Sequence, residues 1–143
     1  MLAGLLALIM ASVFAGAALY VSLVEHPARQ HLDDRAALTE WKPAYKRGFV
    51  MQGPLAVAGF LAGVLAWWQG GSEIWLLGAL VLIANWPYTL FVILPTNNKL
   101  MALEPAQAGR ESRALLEKWS QLHAVRTALG CLAALSFLRA SLR

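Results

Sequence analysis

Four long apolar stretches, separated by polar segments, dominate the pattern of the chain. Three of them, within residues 1–24, 48–72 and 74–98, contain no charged side chain, and the fourth contains only Arg126. A helix needs about 20 mostly apolar residues to cross a hydrocarbon layer roughly 30 Å thick. The pattern therefore predicts four membrane-spanning helices, at about 2–24, 49–68, 74–94 and 119–138.

Composition supports this prediction. Of the 143 residues, 59% are hydrophobic and 14% are charged, whereas about 25% are charged in a typical soluble domain. Disorder, a nucleic-acid module and most soluble enzymes are thereby excluded. The first stretch resembles a signal peptide around 15–17, but no basic residue precedes it, so we interpret it as a retained helix. We expect one all-α domain over residues 1–143, an integral membrane four-helix bundle.

Two polar segments, 25–47 and 96–118, carry most of the charge. They contain five and four of the twelve Lys and Arg residues, and four and three of the eight acidic residues. In the predicted topology both lie on one side of the membrane, opposite the termini and the short turn near 70–73. The positive-inside bias places the segments in the cytoplasm and the termini outside. The net charge of +4 is thus interpreted as a signal of orientation, not of nucleic-acid binding.

Both polar segments are predicted to be amphipathic. In the first, Asp33-Asp34 indicates a helix start, after which Leu38, Trp41 and Tyr45 recur on one stripe. Pro43 predicts a kink or break in this helix. An aromatic stripe opposite charges is typical of a membrane-interface segment or of a lid over the helix ends.

Prolines and glycines add further expectations. Glu104-Pro105 predicts the start of a helix that continues into the fourth span, and Pro87 and Pro95 predict kinks in the third. Gly59 and Gly63 form a GxxxG pair, which allows close helix approach within the bundle or homodimerisation. The lone Cys131 excludes an intramolecular disulfide.

The predicted topology gathers polar side chains at one end of the bundle. An ionisable group inside a span costs about 3 kcal/mol on insertion scales, so it normally has a partner or a task. Arg126 lies roughly 10 Å inside the fourth span, and Glu25 is its expected counter-charge. A purely structural polar network is the alternative. The gathered residues are Tyr20, Glu25, His26, Arg47, Gln52, Tyr88, Thr89, Asn97, His123 and Arg126.

Two kinds of chemistry fit this cluster. Glu25, His26 and His123 offer the ligand types of a single non-haem iron or copper ion, although no metal-motif spacing is present. Without a metal, His123 suits a general base and Arg126 suits stabilisation of an anion as it forms. The sequence lacks a phosphate loop, a nucleophile elbow, a CxxC pair and a dinucleotide fingerprint, so hydrolase, kinase and dehydrogenase functions have no support.

Motifs spread over nearly the whole chain resemble one family of small four-helix membrane proteins, a domain of unknown function whose named members are the anthrone oxygenases of polyketide pathways. The most specific motifs are the Pro-Thr-Asn-Asn stretch at 95–98 and the spacing of Trp119, His123 and Arg126. The other matching positions are Tyr20, Glu25-His26-Pro27-Ala28-Arg29, Trp41, Tyr45, Arg47-Gly48, Gln52, Pro87-Tyr88-Thr89 and Leu100.

The resemblance implies a four-helix bundle and oxygenation of an activated phenolic ring carbon by O₂ without an organic cofactor. On that basis His123 is the base, Arg126 stabilises the anion, and Tyr88 and Asn97 are orienting donors. The candidate catalytic residues are His123, Arg126, Glu25 and His26. The candidate substrate-binding residues are Tyr20, Gln52, Tyr88, Thr89, Asn97, Trp119, Trp41 and Tyr45.

The function predicted from the sequence is that of a membrane-embedded, oxygenase-like oxidoreductase that takes a hydrophobic aromatic molecule from the lipid bilayer. No organic cofactor is expected, and a single iron or copper ion is left open. The alternatives are a non-catalytic protein that binds a lipid or quinone, and a scaffold that forms a homo-oligomer through Gly59 and Gly63.

Overall fold

The computed structural model describes residues 2–143, and within that range all regular structure is helical, without a strand. Each of its four long helices is long and apolar enough to cross a membrane. The predicted all-α fold with four such helices is confirmed, and it is consistent with a multi-pass membrane protein. The helices are α1 (Leu2–Arg29), α2 (Asp34–Trp68), α3 (Glu73–Ala102) and α4 (Arg110–Ser141).

The helices form an antiparallel bundle that is square in cross-section. α1 and α3 each pack along α2 and α4, whereas the diagonal pairs have little contact. The turn between α2 and α3 contains Gly70 at a φ of 91°, a conformation that favours glycine. We call the end with this turn and both termini the terminal end, and the end with the connections 30–33 and 103–109 the polar end.

The core of the terminal end is built from small residues. An added Cβ at Gly59 would lie 2.5 Å from Leu82 Cδ2, and one at Gly63 would lie 2.9 Å from the Phe137 ring. Both glycines therefore face neighbouring helices of the same chain, which confirms close helix approach. They do not form a surface that a second copy can reach, so a homo-oligomer through this pair is not supported, and oligomerisation itself stays a prediction.

The first polar segment is a continuation of the bundle. α2 begins where Asp33-Asp34 predicts, and Asp33 accepts a hydrogen bond from the backbone N–H of Ala36 (2.8 Å). Leu38 and Trp41 are fully buried in a second core, together with Leu100 of α3. The predicted interfacial segments are not confirmed, because the aromatic stripe packs against protein.

Helix bounds also differ from the predictions at two prolines. α2 runs through Pro43 without a break, although an interior proline loses one backbone hydrogen bond and its ring crowds the carbonyl four residues earlier. The neighbouring Trp41 and Tyr45 pack in the second core and hold the helix there. Pro105 begins a short 3₁₀ turn (Pro105–Gln107), and α4 starts at Arg110. From there α4 is continuous through the fourth span, as predicted.

Two wide π-helical turns interrupt the regular helices. One lies at Val21–Glu25 in α1 and the other at Thr89–Ile93 in α3. Each ends two residues before a proline, Pro27 or Pro95. A proline ring clashes with the carbonyl four residues earlier, and a wider turn relieves that clash. The π turn in α3 lies just before Pro95, where a kink is predicted, and the kink itself stays a prediction; the π turn in α1 was not predicted.

Candidate functional site

A cavity of about 460 Å³ lies at the polar end, between α1, α2 and α4. This volume falls within the range of small-molecule sites. Its wall is mostly apolar, with aromatic rings from all three helices and a few polar groups. The polar and aromatic lining residues are Tyr20, Glu25, Arg29, Tyr45, Arg47, Phe49, Gln52, Trp119, His123 and Arg126.

His123 is the central polar side chain of this wall. It is 3% exposed, and its ring stacks obliquely on Trp119, with centroids 5.0 Å apart. Nδ1 lies 3.3 Å from Ser22 Oγ on α1. Nε2 has no hydrogen-bond partner anywhere in residues 2–143, so it is the nitrogen available to a bound molecule.

Arg126 lies one helical turn from His123 and reaches the same cavity. Its Nη2 donates to Gln52 Oε1 at 3.2 Å, and its guanidinium carbon lies 5.6 Å from the Phe14 ring centroid. Nε is buried and has no partner among the described residues. The guanidinium therefore retains donors that an anionic ligand can use.

The predicted ion pair between Glu25 and Arg126 is wrong. Glu25 Oε1 accepts from Arg29 Nη2 at 2.7 Å, and Arg29 also pairs with Glu40. Because Arg29 follows Glu25 by four residues on the same helix, it reaches the carboxylate directly. Glu25 still lines the cavity beside Arg126.

The metal site that the sequence left open is not assembled either. Within residues 2–143 no group of three His, Cys, Asp or Glu side chains could hold a metal ion. His26 does not line the main cavity; its Nε2 accepts from the Gln30 amide at 3.2 Å. Its ring lies against Trp119, with centroids 6.4 Å apart. Glu25, His26 and His123 therefore do not converge.

Several predicted binding residues lie behind the wall. Trp41 is buried and stacks on Tyr45 with ring centroids 4.9 Å apart, so it supports a lining residue. Tyr88 donates its hydroxyl hydrogen to the Leu122 carbonyl, and Asn97 is buried away from the cavity. Thr89 lines a much smaller side cavity of about 10 Å³. Whether these residues contact a ligand stays a prediction.

Charge in the cavity is unbalanced. Arg29 is paired with two carboxylates, but Arg47 and Arg126 have no carboxylate partner in the described part of the chain. The wall thus carries excess positive charge close to aromatic rings. Such a wall favours an aromatic ligand that is an anion or becomes one.

Sequence reasoning did not select Arg29, Ser22 or Thr127 as site residues. Arg29 belongs to the family motif at 25–29, so a signal for it was present in the sequence. Ser22 lies in the π turn of α1 and Thr127 lies one turn beyond His123. Their proximity depends on how α1 packs on α4, which no spacing within one helix reveals.

Comparison with known proteins identifies the family of the chain. The family described as anthrone oxygenase matches residues 41–136. The chain belongs to the anthrone oxygenase family. Anthrone oxygenase tpcL of Aspergillus fumigatus is 32% identical over 147 residues, which cover 96% of this chain and 91% of that protein. No solved structure matches.

Membership of the anthrone oxygenase family confirms the resemblance found in the sequence and supports an oxygenase-like function at the level of the family. The matched region contains two of the three cavity walls, including His123 and Arg126. The third wall, from α1, precedes the matched region. It supplies Tyr20, Glu25 and Arg29.

Proposed function

We propose that this protein is a membrane-embedded oxygenase that oxidises an activated ring carbon of a hydrophobic phenolic molecule with O₂. The observation that carries the proposal is the presence of His123 and Arg126 in the wall of one apolar, aromatic-lined cavity. A free imidazole nitrogen and a guanidinium with unused donors are the groups that proton abstraction with anion stabilisation requires.

The reaction converts a ring CH₂ and O₂ into a ring C=O and water. His123 Nε2 removes one proton from the carbon, and Arg126 stabilises the negative charge that spreads onto the phenolic oxygens. The electron-rich carbon reduces and binds O₂, giving a peroxide. Return of the proton from His123 and loss of water leave the carbonyl, so atoms and electrons balance without a further reductant.

The position of the cavity supports a hydrophobic substrate. Its wall between α1 and α2 includes Tyr20, Phe49 and Met51, which are 57%, 39% and 49% exposed. In a membrane these side chains face lipid, because they lie on the outer surface of long apolar helices. A molecule dissolved in the bilayer can therefore reach the cavity between α1 and α2 without passing through water.

Oxygen uptake tests the proposal. The purified protein in detergent or lipid nanodiscs is given an anthrone as substrate, and O₂ consumption and ring-carbonyl formation are measured. We expect His123→Gln to lower kcat by about 100-fold or more, the usual contribution of a general base. Arg126→Met should lower kcat/KM strongly. A wild-type rate in His123→Gln would contradict the assigned base.

Two control variants match these changes. His31→Gln alters an exposed histidine in the connection between α1 and α2, and Arg139→Met alters an exposed arginine at the terminal end. Both should retain the wild-type rate.

The alternative, a protein that binds a lipid or quinone without turnover, rests on the same apolar cavity. Two results together would favour this alternative. A lipid or quinone would quench tryptophan fluorescence in the wild type but not in Trp119→Phe, and no phenolic substrate would give O₂ uptake.

A further inference from the structure

We propose that Ser22 and Thr127 are positioning residues that hold the His123 ring in the tautomer protonated at Nδ1, so that the Nε2 lone pair is presented to the cavity. This inference rests on the proposed function, in which His123 is the base. It adds the two residues that prepare that base.

A chain of short polar contacts joins the ring to the backbone of α1. Ser22 Oγ lies 3.3 Å from His123 Nδ1 and 2.9 Å from Thr127 Oγ1. Thr127 Oγ1 in turn lies 3.2 Å from the carbonyl oxygen of Ala18 and 3.4 Å from that of His123. Ser22 belongs to the π turn of α1, a kind of turn that is frequent at functional sites.

The direction of this chain follows from what each group can donate. A carbonyl oxygen only accepts, and each hydroxyl has one hydrogen. If Thr127 donates to the Ala18 carbonyl, Ser22 can donate to Thr127, and His123 Nδ1–H can donate to Ser22. That arrangement makes three hydrogen bonds.

The reverse direction makes fewer bonds. If Thr127 donates to Ser22 and Ser22 donates to His123 Nδ1, only two hydrogen bonds form. The Thr127 hydroxyl then has no hydrogen left to donate to the carbonyl oxygen of Ala18 or of His123. In a partly buried network an unmade hydrogen bond is costly, so the chain runs from the His123 ring towards the Ala18 carbonyl.

This direction fixes the chemistry of the ring. A neutral imidazole has one N–H, so protonation at Nδ1 leaves the lone pair on Nε2. In the other tautomer the cavity would meet an N–H donor, which cannot accept a proton from the substrate. The two hydroxyls therefore select the form of His123 that can act as a base.

Nuclear magnetic resonance of ¹⁵N-histidine-labelled protein tests the tautomer directly and requires no substrate. The His123→Gln protein identifies the His123 signals. In the wild type we expect a pyrrole-type Nδ1 and a pyridine-type Nε2. In Ser22→Ala and in Thr127→Val the signals should move towards the opposite tautomer, whereas Ser22→Thr and Thr127→Ser, which keep a hydroxyl, should resemble the wild type.

The kinetic arm separates positioning from substrate binding. Ser22→Ala should lower kcat by about tenfold, the effect of losing one hydrogen bond of this kind. KM should stay unchanged, because Ser22 acts on His123 and not on the substrate. Ser136→Ala removes a comparable helix hydroxyl near the other end of α4 and should have the wild-type kcat.

Either of two results overturns the inference: a wild-type His123 protonated at Nε2, or a tautomer unchanged in both Ser22→Ala and Thr127→Val. Absence of oxygen uptake in the wild type would instead contradict the proposed function, and the resonance measurement would still decide the tautomer.

Discussion

The two ends of the bundle are held together by different interactions. At the terminal end, alanines and glycines bring the helices into close contact, with Phe137 and Trp75 stacked in the remaining space. At the polar end, ion pairs and side chain–backbone bonds connect the helices. Lys42, for example, bonds to the carbonyls of Met101 and Leu103, and Arg113 pairs with Asp34.

This difference indicates how a small membrane bundle can contain a cavity. Dispersion between small side chains can hold helices together in lipid, and it leaves little room where the helices are closest. The polar end has its own aromatic core around Trp41 and directional bonds at its periphery, and the cavity lies beside that core. Small residues thus fix the helix positions within the terminal end, whereas the larger cavity, of about 460 Å³, lies between the helices at the polar end.

The largest expected effect concerns the aromatic core of the polar end. Trp41→Ala should lower the free energy of unfolding by about 3–5 kcal/mol, as for other buried tryptophans, because Trp41 is fully buried against Tyr45 and Trp119. Thermal unfolding in detergent measures the change. Trp68→Ala, which removes a 79% exposed ring, should change stability little, and equal losses in the two variants would contradict this role.

A smaller effect is expected from a single methyl group at the terminal end. Gly63→Ala places a Cβ 2.9 Å from two atoms of the Phe137 ring and 3.0 Å from Ala79 Cβ, and such overpacking costs about 1–3 kcal/mol. Gly16→Ala is the matched control, because nothing lies within 4 Å of its added Cβ. Because alanine has a higher helix propensity than glycine, the stability of Gly16→Ala should equal or exceed that of the wild type. A stable Gly63→Ala protein would show that this end is not tightly packed.

A third prediction connects the two ends through Phe14. Gly130→Ala places a Cβ 2.7 Å from the Phe14 ring, and the guanidinium carbon of Arg126 lies over the same ring, 5.6 Å from its centroid. Gly78→Ala makes an equally close contact with Phe137 (2.7 Å), far from the cavity. Both variants should lose about 1–3 kcal/mol of stability. Only Gly130→Ala should also lower the rate of oxygen uptake, because the displaced ring moves Arg126; equal rates in the two variants would refute that link.

Much of the fold is predictable from the sequence because charge alone outlines the helices. A charge-free run in lipid has few alternatives to a helix, and Asp33 marks the start of α2 through its own hydrogen bond. The same physics gathers Tyr20, Gln52, His123 and Arg126 at one end, since antiparallel helices with short connections leave no other arrangement.

The details of the site depend on features that local spacing does not show. The π turn inserts an extra residue into α1, and each residue advances the helix by about 100°. His26 is therefore rotated away from the face that regular spacing assigns to it, and the proposed metal ligands are separated. The i, i+4 spacing of Glu25 and Arg29 indicates that they can pair. Glu25 was instead assigned to Arg126, because an arginine deep inside a span is expected to need a counter-charge.

The smallest expected effect tests the bonds at the periphery of the polar end. Arg113→Met removes the pair with Asp34 and the bond to the Leu32 carbonyl (2.7 Å). Because this pair is partly exposed, solvent screens it, and global stability should fall by less than about 1 kcal/mol. Amide hydrogen exchange should nevertheless accelerate in the connection 30–33, since it loses its attachment to α4. Arg110→Met, at an exposed arginine without an ion pair in the described chain, should leave exchange unchanged. If Arg113→Met instead unfolds the whole bundle, the stability of the fold depends on a single peripheral bond at the polar end. That result would contradict the difference between the two ends.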